Sequence, residues 1–159
     1  MKAEEMIQKY DEMKKELKIL QFQLSRFEGL SESDVIETMT YTHPEGDRVI
    51  TSGTSDKTFK VAANYKKVLE RENNEWYDYL LKRQCFIIEE LEFFEGSITT
   101  LQHAEIMYDM LINKISWVEI ESKFNLSHAT LGRYRKDAMK ELNFLYDLRD
   151  RQMESYLLS

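Results

Sequence analysis

Between residues 127 and 142 the chain reads SHATLGRYRKDAMKEL, where Arg133, Arg135, Lys136 and Lys140 stand against Asp137 and Glu141. A guanidinium fork matches the O6 and N7 acceptors of guanine, and a lysine ammonium neutralises phosphate as a point charge. Ser127, His128 and Thr130 come just before these cations, so hydrogen-bonding groups suited to base edges precede charges suited to a phosphate backbone. The whole chain carries a net charge of -7, with six acidic and two basic residues in 31–58 alone, so it is not a general polyanion binder. Residues 128–142 carry a local excess of two positive charges. A solvated charged face would use the same residue types. Ala129 and Gly132 among them argue instead for a surface that something must approach closely.

Other chemistries fare worse. His43 and Glu45 lie two residues apart in a Pro-Glu-Gly turn, with no ligand cluster to join them, and read as a solvated loop. Cys85 is the single cysteine; it allows no internal disulfide, suits a reducing compartment and reads as a small buried group. There is no phosphate-cradling glycine loop, His-Glu-x-x-His pair, nucleophile elbow or Cys-x-x-Cys. We therefore expect no enzyme, no cofactor and no metal.

The elements that must position the cationic run are helical. Five glycines and one proline in 159 residues are too few for a turn-rich β protein, and 42% apolar residues are too many for a disordered chain. Met6, Tyr10, Met13, Leu17, Leu20, Leu24 and Phe27 follow one another at steps of 4, 3, 4, 3, 4 and 3, a heptad seam. Such a seam is covered either by a second copy or by another helix of the same chain. The first solution makes Tyr10, Met13, Leu17, Leu20, Leu24 and Phe27 a homodimer contact. Gly29 suits the end of this helix.

Residues 31–56 hold the only proline and many Ser, Thr and Asp, and read as a long acidic connector; a hairpin pairing 35–41 with 48–51 would be marginal. A second helix is predicted over 56–95, ended by Gly96, with Val61, Tyr65, Val68, Leu69, Trp76, Tyr79, Leu80, Ile87, Leu91 and Phe94 as its apolar stripe. Its last turns, thickened by Phe86, Ile88 and Phe93, are expected to be buried on more than one side. The N-terminus is charged from Lys2 onward and no uncharged run is long enough to span a bilayer, so a cytosolic protein is expected.

A third helix over 100–112 leads to Ser116-Trp117-Val118-Glu119, the pattern of a capping box, with Ile115 and Ile120 as its staple. A short helix to Phe124 then meets Asn125, which tolerates positive φ, and Leu126, directed inward; Ser127 caps the next helix. On that helix Leu131, Tyr134, Ala138 and Leu142 form an inward stripe, leaving His128, Ala129, Gly132, Arg133 and Lys136 outward. Two helices about three residues apart, the second turning basic within two turns, have the spacing of a helix-turn-helix.

The run WVEIESKFNLSHATLGRYRKDAMKEL resembles the helix-turn-helix of sigma-factor region four. The matching positions are Glu119, Ile120, Phe124, Leu126, Ser127, Thr130 and Leu131. Long helices and an acidic connector ahead of such a motif are similar to small sigma-like regulators of phages and mobile elements of Gram-positive bacteria. One departure is Glu121, where the pattern prefers a small residue; it either crowds the helix crossing or leans outward.

The resemblance implies an all-α chain with a helical region, 1–96, followed by a DNA-binding domain, 97–159. It further implies a bacterial cytoplasmic regulator that recognises a promoter element in double-stranded DNA and contacts RNA polymerase. Ser127, His128, Thr130, Arg133, Arg135, Lys136 and Lys140 would meet the DNA. The rival expectation is an adaptor whose long helices bind another protein and whose helix-turn-helix is a packing unit.

Overall fold

The computed structural model describes residues 1–27 and 56–159, the side chains of 56–66 and 68 excepted. The hairpin expected at 35–41 and 48–51, His43, Gly29 and the connector up to residue 55 lie outside the described residues. The described residues form an all-helical chain: α1 (Ala3–Ser25), α2 (Asp56–Thr99), α3 (Ala104–Leu111), α4 (Trp117–Phe124) and α5 (His128–Leu158). None of these helices is long and apolar enough to cross a membrane.

Local chemistry accounts for the helix ends. Glu4 and Glu5 sit in the first turn of α1, where carboxylates favour the positive end of the dipole, and Lys9 bonds back to Glu5 at 2.8 Å. Gly96 does not end α2, which runs on to Thr99. The helix stops where the Thr100 and Leu101 amides tighten onto the Ser97 and Ile98 carbonyls, while the Thr99 and Thr100 hydroxyls bond to the Gly96 and Ser97 carbonyls. This tight turn uses up the residues expected to begin α3. That helix accordingly starts four residues late, after His103.

The chain divides into two compact units, one made of Met1–Lys18 with Phe86–Ser159 and the other of Ile19–Cys85. In the first unit α1 supplies Met6, Tyr10 and Met13 to the core, and the last turns of α2 supply Ile87, Leu91, Phe94 and Ile98. The Tyr10 and Phe94 ring centroids are 5.5 Å apart, and the Tyr10 hydroxyl donates to the Glu95 carboxylate. α5 adds Leu131, Ala138, Met139, Leu142 and Tyr146. It is held to α2 by Arg149, whose guanidinium lies 3.0 Å from Glu90 and 4.2 Å from the Phe93 ring centroid.

The seam of α1 is thus occupied inside the chain. Met6, Tyr10, Met13 and Leu20 are buried, and Leu17, Leu24 and Phe27 are half-buried. In the second unit Phe27 packs edge-on to Tyr77 at 5.1 Å and Leu80 is buried.

Three expectations for α2 are corrected. Cys85 is exposed, because it precedes buried Ile87 by two residues and so falls on nearly the opposite side of the helix. Trp76 and Tyr79, expected inward, are 41% and 56% exposed. The burial of the last turns is a single stripe with half-buried flanks, and Phe86 remains 40% exposed.

Candidate nucleic-acid interface

The cationic run is placed by the α4–α5 pair. The Ser116 hydroxyl accepts from the Glu119 amide at 3.3 Å, the first bond of the expected capping box; among the described residues the carboxylate of Glu119 does not return it. At the other end of α4, Asn125 adopts φ 53° and ψ 53°, and the Leu126 amide closes onto the Glu121 carbonyl at 3.0 Å, a Schellman arrangement. Ser127 then turns the chain into α5: its hydroxyl accepts from the Thr130 amide at 3.2 Å and lies 2.8 Å from the Thr130 hydroxyl. Ile120 and Leu131, one from each helix, are fully buried, and Leu126 is half-buried.

Against this frame the expected contact residues separate into groups. Ala129, Arg133, Lys136 and Lys140, at steps of 4, 3 and 4, share one exposed face of α5. His128 is exposed at the start of the helix, and half-buried Thr130 accepts from Arg133 at 3.3 Å. Ser127 is exposed, but its hydroxyl is spent on the cap. Arg135 is half-buried and, by spacing, lies on the side of Leu131, Ala138, Leu142 and Tyr146, so it does not join the face of Lys136 and Lys140. Tyr134, expected inward, is half-buried and stacks on His103, with 3.7 Å between centroids and 17° between planes. The ring is thereby taken up by protein.

The contacts of three neighbours, Trp117, Glu121 and Lys123, were not legible in the sequence. Trp117, in the first turn of α4, has its ring 5.1 Å from that of His128 and 3.9 Å from where a Cβ on Gly132 would lie. The glycine thus faces Trp117, a nearer use for its small size than the close approach of a ligand. Glu121 leans toward α5, its carboxylate 2.7 Å from His128 Nδ1. Lys123 bonds to Asp109 at 2.7 Å, tying α4 to α3, and this bond holds the Asp109 carboxyl below the ordinary carboxylate range. A spacing of seven residues across a turn marks Glu121 and His128 only once the turn is known. The Lys123–Asp109 pair has no local signal at all.

Beside this pair Ile98, Ala104, Tyr108 and Phe124 line an open cleft of about 360 Å³, with Glu105, Asp109 and Lys123 among its polar members. The α4–α5 pair presents a capped helix start with a short exposed cationic row. Comparison with family models, with curated proteins and with solved structures found no match.

Proposed function

We propose that the chain is a sequence-specific, DNA-binding transcriptional regulator in which α4 and α5 act as a helix-turn-helix and α5 is the recognition helix. The observation that carries the reading is the exposed row of Ala129, Arg133, Lys136 and Lys140 in the first turns of α5, behind a turn fixed by Asn125 and Ser127. A helix entering the major groove presents its N-terminal residues to base edges, and later residues meet phosphates. Arg133 therefore reads a base, with Thr130 steadying its guanidinium, while Lys136 and Lys140 neutralise the backbone. His128 contributes at the groove edge. Arg135, on the inward side, supports the fold.

The likeness of this segment to sigma-factor region four extends the proposal to a promoter element and to RNA polymerase as a partner, in the cytoplasm of a bacterium. An accessory factor suits a chain with one such motif better than a complete sigma factor does. The adaptor reading keeps one observation in its favour, the apolar cleft between Ile98, Tyr108 and Phe124, which has the size of a ligand or side-chain pocket. Selection of bound fragments from a random duplex library separates the two. A DNA regulator enriches one sequence, and an adaptor enriches none.

A further inference from the structure

The second unit carries an exposed face that the proposed DNA contact does not use. On α2, Glu72, Glu75, Trp76 and Tyr79 are spaced i, i+3, i+4 and i+7 and together line an open hollow of about 270 Å³. The Trp76 and Tyr79 rings stack with 5.6 Å between centroids and 14° between planes, yet remain 41% and 56% exposed. Each ring follows a glutamate by one turn, Glu72 before Trp76 and Glu75 before Tyr79. Around them, residues 70–79 hold Glu70, Glu72, Glu75 and Asp78 against Arg71 alone, whose guanidinium reaches Glu72 at 3.4 Å from an exposed position.

We propose that this face docks an arginine-bearing segment of another protein. An aromatic face attracts a cation through its quadrupole, and a carboxylate one helical turn away accepts the guanidinium fork. The pattern occurs twice, three residues apart, so the stacked pair leaves one outer ring face and one carboxylate to each of two guanidinium groups. Arginine is favoured over lysine because its planar group stacks and bonds at once, whereas an ammonium does one or the other. The local excess of negative charge draws such a segment in and repels acidic ones. The chain's own cationic face on α5 makes a second copy the alternative occupant.

The test is calorimetric titration of the full chain with a hexa-arginine peptide and a hexa-lysine peptide at physiological salt. The arginine peptide should bind more tightly than the lysine peptide. Replacing both Trp76 and Tyr79 by Ala should weaken the arginine peptide by about tenfold, in line with two exposed cation–π contacts. The conservative pair Trp76→Phe and Tyr79→Phe should keep most of the affinity, and Glu72→Gln with Glu75→Gln should lose it at unchanged helicity. Equal binding of the two peptides, or undiminished binding to the Trp76→Ala, Tyr79→Ala chain, would reduce the face to diffuse acidity and overturn the proposal. Self-association abolished by these same substitutions would assign the face to a second copy and overturn it as well. These readouts involve no DNA, so they stand or fall apart from the proposed function.

Discussion

Lys123 donates to the Asp109 carboxylate at 2.7 Å, and through this bond α4 is fixed to α3, with Asn113 giving Asp109 a second donor at 3.1 Å. Lys123→Ala should therefore cost about 1 kcal/mol at neutral pH, since the lysine is more than half exposed and its charge is partly screened. The Lys123 bond lowers the Asp109 pKa from its ordinary 3.8, so its contribution is complete above that value and is lost as the pH falls through the lower folded one. Denaturant titrations from pH 7 to pH 2 should show a steeper acid loss in the native chain than in Asp109→Asn. Parallel acid limbs would contradict the assignment.

Tyr10 gives the opposite dependence. Burial, reinforced by its bond to Glu95, pushes its hydroxyl up to about 12 from 10.0. The folded chain therefore favours the neutral phenol. That stability is complete below pH 10 and is lost as the pH rises toward 12. Tyr10→Phe should cost about 1 kcal/mol at pH 7 and flatten the loss of stability between pH 10 and pH 12 relative to the native chain.

The heptad seam gives a third expectation. Because Met13 and Leu20 are buried in the single chain, Met13→Asp or Leu20→Asp should lower stability by more than about 3 kcal/mol, the scale for an unpaired charge placed in a core. Circular dichroism should show lost helicity. A fully helical monomer appearing where the native chain sediments as a dimer would instead make the seam an intermolecular contact.

Much of this architecture is legible from local chemistry. The α4 cap at Ser116, the left-handed Asn125, the Ser127 cap and the inward Leu131, Ala138 and Leu142 each follow from one residue type in one position. What escapes is whatever depends on a partner distant in sequence. A seam repeats in the same way whether Tyr10 meets Phe94 of its own chain or another copy. Gly96 looks like a helix end until the Thr99 and Thr100 hydroxyls are seen to close the helix later. Apolar type alone put Trp76 and Tyr79 inside, because periodicity does not tell a core stripe from a face left open. In the candidate interface, charge alone grouped Arg135 with Lys136; one residue of helix is 100°, and that rotation turns Arg135 inward.

Gly132 separates packing from close approach. A Cβ there would meet the Trp117 ring at 3.9 Å, an ordinary contact, so Gly132→Ala should fold and gain up to about 1 kcal/mol from helix propensity. A thermal melt should show the gain. Loss of stability would mean that α4 and α5 are packed more closely than described.

The central claim is that the first turns of α5 read DNA, and salt-dependent binding of Arg133→Ala and Lys136→Ala to a selected duplex and to random duplex tests it most directly. Arg133→Ala should lose about 1 to 3 kcal/mol of discrimination at one base pair, while Lys136→Ala should weaken all duplexes alike and lower the log–log salt slope by about 1. If both variants keep the fold and bind selected and random DNA as the native chain does, α5 is not a recognition helix and the account fails.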